Sequence, residues 1–209
     1  MLNKKTSLLS IIIIILIGTL ALLYQNYSTK DIKNCNNLKN TQDQNECLIK
    51  VAVKKDDAQL CDDFKAIEPG VCKRMVYINE KNIQGCQDLQ KTNPLDSEIC
   101  LSGIAKANND INLCNELTLE STKDSCIFNV GINAKDTDTC NLIGDKLKKE
   151  FCFIKLAQNL NNLQICENIQ TENEIKLCFS EYKLVTKENL NCNDLTDSYK
   201  TVCSAVNNQ

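Results

Sequence analysis

Apolar residues recur every three or four positions along most of this chain, which is the spacing of an amphipathic helix. One such stripe comprises Ile99, Leu101, Ile104 and Ala105, and a longer one comprises Phe151, Phe153, Leu156, Ala157 and Leu160. Only 2 prolines and 6 glycines interrupt the 209 residues. Runs of β-branched or aromatic residues bounded by turn residues are missing. The pattern therefore predicts an all-α fold.

A shorter helix, which we call helix A, is predicted before each long apolar stripe, which we call helix B. Asp or Asn, the residues that best cap a helix N-terminus, stand at six of the seven predicted helix A starts: Asp31, Asp57, Asn82, Asp110, Asp136, Asn162 and, as the exception, Glu188. A cysteine follows each of these residues four positions later. Three residues beyond it stands an apolar residue on the same helix face: Leu38, Phe64, Leu89, Leu117, Ile143, Ile169 and Leu195.

Helix B is predicted to begin at a fresh cap after a tight turn. Asn93 precedes Pro94, which suits the first position of a helix, and Pro69 takes the same role one repeat earlier. Thr171 with Glu174 has the spacing of a capping box. Helices A and B are thus expected to form an antiparallel hairpin.

The cysteines show that this hairpin is repeated seven times. Taken in twos they are Cys35/Cys47, Cys61/Cys72, Cys86/Cys100, Cys114/Cys126, Cys140/Cys152, Cys166/Cys178 and Cys192/Cys203. The first members lie 26, 25, 28, 26, 26 and 26 residues apart, and a fixed period of this kind is typical of repeat architectures. We number these units repeats 1 to 7 and expect a right-handed αα-hairpin solenoid.

Helix geometry favours a disulfide within each repeat. The two cysteines of a hairpin lie at the same height, roughly 8–9 Å from the turn, at 1.5 Å per residue. A bridge to the next repeat would join cysteines whose heights differ by several ångströms. Each bridge closes a loop of about a dozen residues and contributes on the order of 3 kcal/mol in the loop-entropy model. Such staples offset the small core of a short hairpin.

Small residues mark one position of helix B, five residues after the second cysteine. They are Ala52, Ala105, Gly131 and Ala157, whereas Tyr77 and Lys183 depart from the rule. A small side chain here is expected to let neighbouring helices approach closely.

Residues 8–24 are uncharged and apolar, and at 17 residues they are at the short end of what spans a bilayer. We expect an uncleaved transmembrane signal anchor, with residues 1–7 in the cytoplasm because Lys4 and Lys5 precede it. Residues 25–30 form a tether, and residues 31–209 are extracytoplasmic. A cleaved signal, which would release a secreted protein, is the alternative.

Composition restricts the chemistry of the chain. It has no histidine, the usual general base and zinc ligand. The net charge of -3 gives no reason to expect nucleic acid as a partner. Thiolate metal binding and thioredoxin-like redox chemistry are alternatives for the cysteines, but both favour C-x-x-C pairs, which the chain lacks. We therefore expect structural disulfides and no cofactor.

The unit D-x-x-x-C-x-x-L, followed by a second cysteine twelve residues after the first, as at Asp110, Cys114, Leu117 and Cys126, carries a resemblance. In architecture it resembles the Sel1-like cysteine-rich αα-repeat proteins of bacteria. It is also similar to two-cysteine repeats of about 26 residues in uncharacterised exported proteins. The resemblance covers residues 31–209 and implies a helical array suited to holding a partner, but it transfers no functional residue.

The expected function is a membrane-anchored module that binds a protein or peptide partner. A structural envelope spacer without a specific ligand is the alternative, and a hydrolase using carboxylates such as Asp62 and Asp63 is less expected. The lysines Lys146, Lys148 and Lys149 suit a solvated helix face. The aromatic residues Phe128, Phe151, Phe153 and Phe179 are expected in the core.

Overall fold

The computed structural model describes residues 30–65, 67–187 and 189–208, and within these ranges the chain is helical and has no strand. No helix in the same ranges is long and apolar enough to cross a membrane. The expected anchor, residues 8–24, lies outside the described residues. The chain divides into two compact units, Met1–Glu80 and Lys81–Gln209, so that repeats 1 and 2 belong to one unit and repeats 3 to 7 to the other.

The first unit contains two hairpins. Helix α1 covers residues 30–36, and α2 is Thr41–Lys55. Helices α3, Leu60–Asp63, and α4, Pro69–Glu80, form repeat 2. The long helices α2 and α4 pack against each other.

The second unit contains five hairpins. Its long helices are α6 (Pro94–Asn108), α8 (Glu120–Ala134), α10 (Lys146–Leu160), α11 (Glu172–Thr186) and α12 (Asp197–Asn207). Each of the first four packs on the long helix of the next repeat. Its short helices are α5 (Ile83–Asp88), α7 (Ile111–Asn115) and α9 (Thr137–Cys140). Helices α7 and α9 pack both on the long helix of their own repeat and on that of the preceding one.

Towards the C-terminus, helix A changes from α-helical to the tighter 3-10 geometry. A 3-10 turn at Leu89–Lys91 extends α5. In repeats 6 and 7 the whole of helix A is a 3-10 segment, Leu163–Asn168 and Cys192–Asp194. Segments with 3-10 geometry are usually short. In both repeats, the disulfide holds this short segment to helix B of the same repeat.

Seven disulfides join the two helices of each hairpin: Cys35–Cys47, Cys61–Cys72, Cys86–Cys100, Cys114–Cys126, Cys140–Cys152, Cys166–Cys178 and Cys192–Cys203. These are the pairs that the spacing predicts, and no cysteine is free. The Cα–Cα distances of 5.4 Å in repeat 3 to 6.0 Å in repeat 6 lie within the ordinary disulfide range. The chain is therefore a disulfide-stapled helical repeat protein.

The predicted caps of helix A are confirmed in the middle repeats. Asn82, Asp110, Asp136 and Asn162 are N-caps, and each side chain accepts a backbone N–H. Asp57 accepts the N–H of Gln59 at 3.0 Å, although α3 begins later. The prediction for Asp31 is wrong, because Asp31 lies inside α1. Glu188 lies outside the described residues.

The predicted starts of helix B are confirmed, with one correction. Asn93 caps α6 with Pro94 at its first position, and α4 begins at Pro69. Thr171 is the N-cap residue of α11, but its side chain makes no capping bond. Its hydroxyl instead donates to a carboxylate of the preceding repeat, so the capping box with Glu174 does not form.

The apolar residue of helix A is buried in six repeats: Phe64, Leu89, Leu117, Ile143, Ile169 and Leu195. Leu38 is the exception, with 43% of its surface exposed. Within the described residues, repeat 1 has no preceding helix B to cover it.

A single left-handed residue links each helix B to the next helix A. The residues with positive φ are Asp56, Lys81, Asn109, Lys135, Asn161 and Lys187, and none of them is glycine. At four of these connections, the N–H of the residue after the left-handed one donates to the carbonyl of the small residue of helix B, which is Ala52, Ala105, Gly131 or Ala157. Asp136 N, for example, donates to the carbonyl of Gly131 at 3.0 Å. This is the Schellman arrangement, and it sets the tight connection between repeats.

Candidate functional site

A row of buried carboxylates runs through the second unit. Glu98, Asp124 and Glu150 each stand two residues before the second cysteine of repeats 3, 4 and 5, and each is at most 5% exposed. Buried carboxylates require compensating hydrogen bonds. The donors come in each case from the turn between helices A and B of the following repeat.

Both carboxylate oxygens of Glu98 accept hydrogen bonds from this turn. Its Oε1 accepts from the N–H of Thr118 at 2.9 Å and from the Thr118 hydroxyl. The N–H of Leu119 lies 3.1 Å from Oε1 and 3.2 Å from Oε2. Leu119 is the N-cap residue of α8 and cannot cap with its own side chain. The preceding repeat therefore caps this helix.

Asp124 repeats the arrangement one unit later. Oδ1 accepts from Gly144 N at 2.9 Å, and Oδ2 accepts from Asp145 N at 2.8 Å. Both oxygens of this carboxylate thus have backbone donors. Asp145 in turn caps α10 by accepting from Lys148 N at 2.7 Å.

Glu150 departs from this pattern. Its Oε1 accepts from the Thr171 hydroxyl at 2.7 Å, but its Oε2 is buried without a partner. The carboxylate borders a cavity of about 210 Å³. The other residues around this cavity are Asn141, Gly144, Lys146, Lys149, Asn168 and Gln170.

An aromatic pair connects α8 and α10 on a different face. The rings of Phe128 and Phe151 are stacked, with centroids 5.9 Å apart and planes at 9°. Lys155 Nζ lies 5.1 Å above the Phe151 ring, within the range of a cation–π interaction. We call Phe128, Phe151 and Lys155 the aromatic–lysine cluster.

The expectation that all four phenylalanines lie in the core is wrong for Phe151. Phe153 and Phe179 are buried, whereas Phe128 is half-buried and Phe151 is 45% exposed. A helical stripe of five positions is wider than the face that the neighbouring helices cover. Phe151 lies two positions before Phe153, which places the two rings about 200° apart around α10, on opposite sides of the helix.

The lysines of α10 divide between its two sides. Lys148 donates to Ser125 Oγ at 2.9 Å and to the Ser121 carbonyl at 3.3 Å, beside the aromatic–lysine cluster. Lys146 and Lys149 border the Glu150 cavity. Helix periodicity explains the division, since positions 148, 151 and 155 share one face.

The carboxylates considered for hydrolysis, Asp62 and Asp63, lie in repeat 2 and have different surroundings. Asp62 makes a salt bridge of 2.7 Å with Lys73 across the hairpin. Asp63 borders a separate cavity of about 430 Å³ with Ile32, Gln44 and Phe64. The described residues contain no group of three acids or cysteines that could hold a metal ion.

Repeat 7 is attached to repeat 6 through Tyr199. Its hydroxyl donates to the carbonyls of Glu167 at 3.0 Å and Ile169 at 2.7 Å. Burial raises the pKa of Tyr199 above its ordinary value, and the negative charge of Glu167 raises it further. The phenol therefore remains a donor through neutral pH.

Comparisons with protein-family models, with curated proteins and with solved structures found no match. The resemblance to Sel1-like proteins is consequently one of architecture alone.

Proposed function

We propose that this protein is an extracytoplasmic helical-repeat module, anchored through residues 8–24, that binds a protein or peptide partner. Seven disulfides are typical of an oxidising compartment outside the cytoplasm. The apolar segment 8–24 supports attachment to a membrane.

The observation that carries the proposal is the aromatic–lysine cluster. Phe151 keeps 45% of its surface in water, on the side of α10 opposite the buried Phe153. Aromatic residues of this kind are enriched at protein interfaces, where they supply large contact area at low cost in conformational entropy. The stacked Phe128 ring and Lys155 hold Phe151 in place before any partner arrives.

Charge indicates what kind of partner fits. Helix α10 carries four lysines, at positions 146, 148, 149 and 155, and its only acid is the buried Glu150. Lys148 and Lys155 share the face of Phe151. An acidic segment with an aromatic or aliphatic side chain would match this face in both charge and polarity.

The test is a selection of random 12-residue displayed peptides against the full-length, oxidised protein. Selected sequences should combine Asp or Glu with an apolar anchor. Phe151→Ser should weaken a selected peptide by about tenfold or more, as expected for an interface hot spot. Affinity should also fall as salt is raised.

Leu142→Ser is the matched control. Leu142 is 56% exposed and lies in the turn of repeat 5, outside the cluster. Peptide affinity should be the same in this variant as in the wild type. The proposal would be contradicted if Phe151→Ser and Leu142→Ser lowered peptide affinity equally. It would also be contradicted if the selected peptides contained no acidic residues.

The carboxylate row favours a stiff spacer as a second candidate. Glu98 and Asp124 tie consecutive repeats through buried hydrogen bonds, which resists bending between them. A spacer function would tolerate Phe151→Ser but depend on length. Deleting one whole repeat, residues 110–135, in the producing cell would distinguish the two functions.

A further inference from the structure

The packing of the repeats does not explain why one carboxylate oxygen of Glu150 lacks a hydrogen-bond donor. Glu150 is 4% exposed, and its Oε2 has no hydrogen-bond partner. Leaving a buried charged oxygen unpaired costs more than an ordinary lost hydrogen bond. A donor that enters the cavity of about 210 Å³ would remove this cost.

The same chain supplies the comparison. Glu98 and Asp124 hold the same position in repeats 3 and 4, and both of their oxygens accept backbone N–H groups of the next turn. In repeat 6 that turn offers Glu150 only the hydroxyl of Thr171. Holding two repeats together therefore accounts for one oxygen of Glu150 and leaves the second without a hydrogen-bond donor.

The lysines beside the cavity point to a negative group on the same ligand. Lys146 and Lys149 lie in the first turn of α10, which contains no acid. Positive charge there opposes the helix dipole. Among the described residues neither ammonium group has an ion-pair partner. Asp145 already caps this helix N-terminus, so a ligand carboxylate would compensate the unpaired charge of the two lysines.

We propose that this cavity binds a small α-amino acid as its zwitterion. The ammonium group donates to Glu150 Oε2, and the carboxylate meets Lys146 and Lys149 at the mouth. A simple cation would face two lysines and a simple anion would face Glu150, whereas a zwitterion matches both.

The size of the cavity restricts the ligand further. Its volume of about 210 Å³ is several times the roughly 30 Å³ share of one water. It is smaller than the roughly 300–1,000 Å³ of pockets for drug-sized ligands. Asn141, Asn168 and Gln170 add neutral polar groups around the rim. This site is separate from the aromatic–lysine cluster and does not rest on the proposed function.

The experiment is calorimetric titration of the full-length, oxidised protein with L-alanine. Three derivatives of alanine separate the contribution of the ammonium group from that of the carboxylate. N-acetyl-L-alanine lacks the ammonium group, L-alaninamide lacks the carboxylate, and L-alanyl-L-alanine carries its carboxylate one residue further away. We expect saturable binding of L-alanine, no binding of the acetylated compound and weaker binding of the amide. Tighter binding of the dipeptide than of alanine would assign the ammonium group to a peptide N-terminus.

Glu150→Gln should reduce the affinity for L-alanine about tenfold or more, because it removes the charge from the acceptor. Glu98→Gln is the matched control, since it changes a buried carboxylate at the same position of repeat 3, away from the cavity. It should leave alanine binding unchanged. Lys149→Gln, at a half-buried site, should weaken the binding of alanine severalfold but leave the binding of alaninamide unchanged.

The proposal is overturned if none of the ammonium compounds binds saturably, which would leave water as the occupant of the cavity. It is also overturned if N-acetyl-L-alanine binds as well as alanine. If Glu150→Gln does not fold, the different response of alanine and alaninamide to Lys149→Gln decides the question. Equal weakening of both ligands would then contradict the proposal.

Discussion

Glu98 of repeat 3 accepts a hydrogen bond from the backbone N–H of Leu119, the residue that begins helix B of repeat 4. The two residues are 21 positions apart. The bond satisfies a helix N-terminus that has no capping side chain of its own. Coupling between repeats thus has a polar component in addition to the packing of the long helices.

Glu98→Ala should lower the free energy of unfolding by about 1–3 kcal/mol, because the N–H groups of Thr118 and Leu119 lose their acceptor. Urea unfolding of the oxidised protein measures the loss. Glu120→Ala is the control, since Glu120 is exposed in the first turn of α8. A loss no greater than the control's would show that the bond does not couple the repeats.

The local features of this fold could be predicted from the sequence, because their partners lie within one hairpin. The disulfides, the cap at Asp110 and the start at Asn93–Pro94 each depend on residues within about a dozen positions. The carboxylate row could not be derived in the same way, since each donor lies in the following repeat. Its signal was nevertheless present, as acids stand two residues before Cys100, Cys126 and Cys152.

The exposure of Phe151 and the left-handed connections escaped prediction for different reasons. The stripe assigned around Cys152 combined two faces of one helix, because Phe151 and Phe153 are two positions and therefore about 200° apart. The connections use lysine at positions 81, 135 and 187, although glycine is the usual residue for a positive φ. A sequence without glycine at these points carries no signal for the turn.

Lys135→Gly should raise the free energy of unfolding by about 1 kcal/mol. Lys135 has a φ of 58°, and a non-glycine residue in this region costs about 1–2 kcal/mol. Glycine adopts this conformation without the steric penalty but loses more chain entropy on folding. Urea unfolding of the oxidised chain gives the difference.

Asn109→Gly is the comparison for this change, because asparagine tolerates the left-handed region better than lysine. The increase in the free energy of unfolding should be smaller for Asn109→Gly than for Lys135→Gly. A larger gain at Asn109 would mean that backbone strain does not limit these connections.

Mild reduction should open the first and last disulfides before the others. Cys47 and Cys192 are half-buried, whereas the remaining twelve cysteines are buried. A reductant must reach a sulfur atom, so the terminal bridges are the accessible ones. Brief treatment with a water-soluble phosphine, followed by alkylation and peptide mapping, should label Cys35, Cys47, Cys192 and Cys203 first.

The denatured protein is the control for this order, because unfolding exposes all the bridges equally and should abolish the preference. Early labelling of Cys114 and Cys126 in the folded protein would contradict the burial argument.

Tyr199 should make stability depend on alkaline pH. Its pKa is raised in the folded state, so folding favours the neutral phenol. The stabilisation is complete below the unfolded pKa of about 10 and is lost as pH rises through the raised folded value. Tyr199→Phe lacks the hydroxyl and should be less stable at pH 8 by about 1–2 kcal/mol.

The difference between Tyr199→Phe and the wild type should shrink at about pH 11, where the phenol of the unfolded chain is ionised. Urea unfolding at both pH values, without added thiol, measures it. A constant difference at the two pH values would mean that the titration of Tyr199 is not linked to folding.

Gly131 and Thr139 provide a test of how closely consecutive repeats approach. A Cβ added at Gly131 would lie 3.0 Å from Thr139 Cγ2 and 3.2 Å from Thr139 Cβ. Alanine gains about 1 kcal/mol over glycine inside a helix, so two effects of opposite sign compete at this position. In the wild-type background we expect the steric effect to win, and Gly131→Ala should destabilise the protein.

Thr139→Ser removes the methyl group but keeps the hydroxyl, which donates to Asp136 Oδ2 at 2.7 Å. In this background Gly131→Ala should be neutral or stabilising by up to about 1 kcal/mol, because the closest contact is gone. A double-mutant cycle measures the coupling of the two positions. An effect of Gly131→Ala that is the same with Thr139 and with Ser in its place would show that the contact does not set the spacing between repeats 4 and 5.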